Sequence, residues 1–94
     1  MRISKRELEA IKKVLYQYDN KAKVHLFGSR IYDNKRGGDI DLLVFSNKLR
    51  FDENLKIKAK LKELLGDQKI DLIFAKDRSD PFVDLVYDES IRIG

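Results

Sequence analysis

Gly38-Asp39-Ile40-Asp41-Leu42-Leu43-Val44-Phe45 is the stretch on which the fold turns. Apolar side chains recur within it and a glycine precedes it, so residues 39–45 read as a strand. Side chains alternate across a sheet, so Ile40, Leu42 and Val44 face one way while Asp39, Asp41, Leu43 and Phe45 face the other. The first set belongs to a core. The second puts two carboxylates on one face, about 7 Å apart at ~3.3 Å rise per residue.

Upstream, Lys23-Val24-His25-Leu26-Phe27 reads as a strand stopped by Gly28, and Ser29-Arg30-Ile31-Tyr32 as one helical turn. Asp33 to Gly38 is a turn-rich loop. Ten residues separate Gly28 from Asp39. A parallel crossover needs about a dozen or more, so these two strands are expected to be antiparallel. Before them, Ser4-Lys5-Arg6-Glu7 matches a capping box. Leu8, Ile11, Val14, Leu15 and Tyr18 follow at helical spacing, giving a first helix over Lys5–Tyr18 that ends at Asp19-Asn20.

Downstream, residues 52–65 form a helix with Phe51, Leu55, Ile57, Leu61, Leu64 and Leu65 as its apolar set and Gly66 at its stop. Its lysines, Lys56, Lys58, Lys60 and Lys62, read as a solvated face. Residues 69–74 form a third strand, reached through a whole helix, which favours a right-handed parallel crossover. Ser79-Asp80-Pro81 opens a last helix over residues 81–87, with Pro81 at N1 and Asp80 or Ser79 as cap. Phe82, Leu85 and Val86 are expected to cap the sheet, and residues 88–94 to add a short extended piece. The chain is therefore read as one α+β domain, residues 1–94, with a small mixed sheet flanked by helices in the order α-β-α-β-α-β-α.

Composition narrows the class. The 94 residues are 43% hydrophobic, enough for a core, and 38% charged, which suits a water-exposed surface. One proline and five glycines exclude a fibrous or low-complexity chain. The absence of cysteine excludes disulfides and thiolate metal sites and fits a reducing compartment. No apolar run approaches the ~18 residues that span a bilayer. The expected location is the cytoplasm. The net charge of +4 permits an anionic partner, but a lysine-rich solvated surface is the preferred account of it. Nucleic acid is not an expected partner, because a carboxylate cluster at the centre of the sheet would repel it.

The candidate chemistry lies in three places. Asp39 and Asp41 can bracket one divalent ion or bridge two, and oxygen-only ligands suit Mg²⁺. Asp71 sits inside the apolar run Lys69-Ile70-Asp71-Leu72-Ile73-Phe74, where a carboxylate is costly unless paired or metal-bound. In a suitable register it joins the acidic cluster; otherwise it faces solvent on an edge strand. Gly28-Ser29 ends a strand and opens a helical turn, so it can present backbone N–H groups and a hydroxyl to an anion, with Arg30 offering a planar fork to a phosphate. The alternative is an ordinary N-cap at Ser29. His25 reads as structural. Tyr16, Tyr18, Tyr32 and Tyr87 are open between core, interface and modification.

Gly28-Ser29, the Asp39-Ile40-Asp41 strand, a helix and Ile70-Asp71-Leu72-Ile73, in this order, resemble the DNA polymerase β-like nucleotidyltransferase superfamily. The resemblance covers about residues 24–74, and the short length is similar to its minimal (MNT or MntA-like) branch. It implies a Mg²⁺-dependent transferase, with two ions, that takes ATP. Asp39, Asp41 and Asp71 would bind metal and act in catalysis, and Gly28, Ser29 and Arg30 would contact the nucleotide. Stand-alone minimal members are commonly encoded with a helical HEPN protein in pairs resembling a type VII toxin–antitoxin system. There the transferase adds AMP to a tyrosine of its ribonuclease partner. Larger members carry a further acceptor-gripping domain, so the acceptor surface is expected from a HEPN-like partner or a second copy of this chain. A non-catalytic binding module and a small-molecule nucleotidyltransferase are the competing readings.

Overall fold

The computed structural model describes residues 1–34 and 38–94; the expectation for Lys35, Arg36 and Gly37 in the turn-rich loop lies outside the described residues. The elements are α1 (Lys5–Tyr18), β1 (Lys23–Phe27), a 3₁₀ turn (Gly28–Ile31), β2 (Ile40–Phe45), α2 (Phe51–Leu65), β3 (Ile70–Ala75), α3 (Pro81–Glu89) and β4 (Ile91–Arg92). The sheet runs β3-β2-β1-β4. β1 is antiparallel to β2 and β4, and β2 is parallel to β3. This is the expected α+β mixed sheet, with the extended tail supplying the fourth strand.

Local chemistry sets the boundaries. The Ser4 hydroxyl accepts from Glu7 N at 3.0 Å and the Glu7 carboxylate accepts from Ser4 N at 2.9 Å, so both orphan amides are satisfied where α1 begins. Gly66 ends α2 at φ +79, where a side chain would be strained. Asp80, not Ser79, caps α3 by accepting from Phe82 N and Val83 N, with Pro81 at N1.

The core lies on the first face of the sheet. Val24, Leu26, Ile40, Leu42, Val44, Ile70 and Leu72 pack there against Ile11, Val14 and Leu15 of α1 and Ile57 and Leu61 of α2. Each such side chain contributes about 1.5–3 kcal/mol of transfer free energy. α3 lies over the other face, across β1 and β2. It does so through Val83, 6% exposed, and through Tyr87, whose ring meets those of His25 and Phe45 at 5.1 and 5.8 Å. Phe82 and Leu85, expected to cap the sheet, are 59% and 69% exposed. Asp80 fixes the phase of the helix and turns them outward. In α2, Phe51, Leu55 and Leu64 likewise face solvent. Among the described residues no helix is long and apolar enough to cross a membrane.

Candidate active site

β2 and β3 run in parallel with Asp41 directly opposite Asp71. Matched residues of paired strands project from the same face, so the register that the sequence left open puts both carboxylates together, on the face that α3 covers farther along. Burial, the hydrogen bond with Asp71, and the charges of Asp71 and then Asp39 push the Asp41 carboxyl up from its ordinary 3.8 to about 6, with Lys69 opposing. Two carboxylates in hydrogen-bond contact share a proton more easily than they both ionise.

Asp39 stands just before β2 rather than within it. Its Oδ2 lies 3.9 Å from Lys69 Nζ, at the entry to β3, in an exposed pair. Among the described residues no three carboxylate or imidazole groups come together closely enough to enclose a metal ion. Two of the three acids thus converge, and the third stands close enough to act on Asp41 electrostatically while paired to a lysine.

Gly28 closes the site from β1. It adopts φ +76, which a side chain disfavours, and an added Cβ would overlap Asp41 Oδ2 and lie 3.1 Å from Asp41 Cγ. Only glycine lets the turn pass so close to the carboxylate. Phe27 occupies the cap position of the 3₁₀ turn and Ser29 lies inside it, so Ser29 is not the N-cap. The Ser29 carbonyl accepts from Tyr32 N at 3.2 Å and from Arg2 Nη2 at 3.1 Å.

Arg30 does not join the others. Its guanidinium forks onto Glu7 with both contacts at 3.2 Å, and it donates to Arg2 O at 2.7 Å and to Gly38 O and Gln68 Oε1 at 3.2 Å. The pair is mostly buried, with side chains 11% and 18% exposed. Burial pushes the Glu7 carboxyl up, but the Ser4 amide and Arg30 outweigh it and hold the carboxyl below its usual range. Arg30 is therefore a strut that ties the N-terminal segment, α1, the turn, Gly38 and Gln68 ahead of β3. Sequence reasoning missed this because Glu7 already had a role as capping residue.

The donor set fits a hard divalent cation. It is all oxygen, and the mutual repulsion at Asp41 and Asp71 is what a cation relieves. Gly28 lets the turn lie directly against the Asp41 carboxylate with no side chain between them. A family model described as polymerase beta, nucleotidyltransferase matches residues 9–93. Comparison with curated proteins gave no match.

Proposed function

The chain belongs to the polymerase β nucleotidyltransferase family, and on that premise we propose that it transfers AMP from ATP, with Mg²⁺, to a tyrosine hydroxyl of a HEPN-like partner protein, as the antitoxin of a toxin–antitoxin pair. The observation that carries the transfer reading is the Asp41–Asp71 pair, in register on adjacent strands and closed by Gly28. Asp41 and Asp71, with Asp39 recruited from Lys69, would hold Mg²⁺. The cation would supply charge neutralisation for the triphosphate and polarise the α-phosphoryl group.

The residues of the chain divide the remaining work. Amides of the Gly28-Ser29 turn and the Ser29 hydroxyl orient the triphosphate. Asp71 accepts the proton of the acceptor hydroxyl. The acceptor oxygen then bonds to the α-phosphorus as the bond to the pyrophosphate oxygen breaks, and pyrophosphate departs. Arg30 and Glu7 hold the turn and the strand ends in place.

The test is to incubate the chain with ATP, Mg²⁺ and the HEPN-like protein encoded beside it and to weigh the intact proteins. The expected result is an AMP adduct on partner tyrosine, lost with Asp41→Asn. Absence of an adduct, or equal labelling by Asp41→Asn, refutes the reading. The exposed Phe82 and Leu85 on α3 favour a second reading, neutralisation by binding alone. It requires folded Asp39→Asn and Asp41→Asn proteins to protect cells from the partner as well as wild type does.

A further inference from the structure

Part of the positive charge of the chain gathers at one end of the sheet. Two cavities, of about 350 and 440 Å³, open side by side at the end of the sheet remote from the acids and share Lys23, Phe45 and Lys76. Six cationic side chains line them, Lys21, Lys23, Lys48, Lys76, Arg78 and Arg92, against two acidic ones, Asp19 and Asp77. With Asp84 and Asp88, which pair with Arg78, six cations stand against four carboxylates, a local surplus of two. Both lining acids are already engaged: Asp19 accepts from Ser46 Oγ and Lys21 N, and Asp77 from Ser79 N. Arg78 is held by Asp84 and Asp88 over the Tyr87 ring. The other five cations form no ion pair among the described residues.

The floor is aromatic. Phe45 and Tyr87 meet edge to face and are partly open, with His25 against both and the Arg78 guanidinium covering one face of Tyr87. The two cavities adjoin at Lys23, Phe45 and Lys76 and open to solvent rather than forming a closed pocket, which suits a chain-like anion. Flexible point charges along a groove, over aromatic rings, are what binds a single-stranded nucleic acid without sequence preference. An acidic peptide would use the cations but not the rings. Repulsion by the acidic cluster is no objection here. Asp41 and Phe45 are four residues apart on β2, about 13 Å at ~3.3 Å per residue.

We propose that the trough over Phe45 and Tyr87, walled by Lys21, Lys23, Lys48, Lys76 and Arg92, binds a short single-stranded nucleic-acid segment. The site does not depend on nucleotidyl transfer. His25, the one histidine, reports on it: burial first, then Arg92 and Lys23, hold its pKa below the ordinary value.

The test is fluorescence anisotropy with a labelled single-stranded RNA 12-mer of mixed sequence, without ATP or Mg²⁺. Five phosphate contacts at a slope of ~0.7 each predict a roughly 100-fold loss of affinity between 50 and 200 mM salt. Lys23→Glu with Arg92→Glu is expected to weaken binding more than about 10-fold, while Lys13→Glu with Lys56→Glu on the opposite helices changes it little. Asp41→Asn binds as wild type at physiological salt, so failure of the transfer reading leaves this one standing, and the reverse. In NMR spectra the His25 ring shifts and its pKa rises on RNA addition, because bound phosphates offset the two cations. The proposal is overturned by no binding at about 10⁻⁴ M, by equal weakening in both charge-reversed pairs, by an unperturbed His25, or by a polyglutamate peptide that displaces the RNA at equal concentration.

Discussion

Asp41→Asn should make the metal-free protein more stable, and the size of the gain follows from the site. Asp41 has a folded-state pKa of about 6 against an ordinary 3.8. A folded value above the unfolded one means that ionising the group costs more in the folded chain. The penalty is absent below pH 3.8, grows as pH rises towards 6, and is complete above that. At ~1.36 kcal/mol per pKa unit the full shift corresponds to about 3 kcal/mol. Solvent reaches this carboxylate, and screening cuts the figure to about 1–2 kcal/mol. Asparagine keeps the shape and can still hydrogen-bond Asp71, but never ionises. In a domain of this size 1 kcal/mol moves Tm by about 4–8 °C. Thermal melts followed by circular dichroism in EDTA should therefore show Asp41→Asn melting roughly 5–10 °C above wild type at pH 7.5 and level with it near pH 3.5. An unchanged or lower Tm at pH 7.5 would refute the argument that the acidic pair stores repulsion.

Other substitutions test other parts. Gly28→Ala combines a strained φ with an overlap on Asp41 and should cost about 2–3 kcal/mol in urea denaturation; in an Asp41→Ala background, which clears the overlap but not the strain, the cost should fall to about 1 kcal/mol. Arg30→Ala leaves the mostly buried Glu7 carboxylate unpaired and should lower unfolding free energy by about 3 kcal/mol, again by urea denaturation, whereas a direct phosphate contact would show in the KM for ATP with stability kept. Val83→Ala should cost about 2 kcal/mol by the same measurement and Phe82→Ala less than about 0.5, the reverse of what an inward Phe82 would give.

The sheet was legible because each of its constraints is local. Ser4 with Glu7, Gly66, and Asp80 with Pro81 mark helix ends through bonds made within a turn, and the ten residues between Gly28 and Asp39 dictate an antiparallel pair. What failed depended on contacts distant in sequence. Phe82, Leu85 and Val86 crowd one short segment with Val83 and Tyr87, so periodicity alone did not say which apolar residues turn inward; the cap phases the helix and chooses Val83 and Tyr87. Arg30 has the chemistry for a phosphate, but its partner Glu7 lies 23 residues away and carried its own local explanation. The Asp19–Ser46 hydrogen bond, at 2.5 Å and 27 residues apart, ties the turn after α1 to the loop after β2, and nothing in either segment announces it. The trough is hidden in the same way. Its cations come from three connections and from strands β1 and β4, and look like scattered charges until the sheet assembles them.

The sheet face under α3 thus carries opposite charges at its two ends, and their separation determines whether they act as one field or two. Screening falls off over about 8 Å at physiological salt and about 30 Å at 0.01 M. At about 13 Å, an ionised Asp41 acts on a phosphate in the trough with about 0.3 kcal/mol in water before screening. Physiological salt reduces this to about a fifth, too little to measure, while at 0.01 M about two thirds survives. Summed over several phosphates, the low-salt repulsion reaches nearly 1 kcal/mol, or roughly two- to five-fold in affinity. Asp41→Asn should therefore tighten RNA binding two- to five-fold at 0.01 M salt and leave it unchanged at 0.15 M, read by the same anisotropy titration. Equal effects at both salts would place the bound strand against the acids rather than at the far end of the sheet.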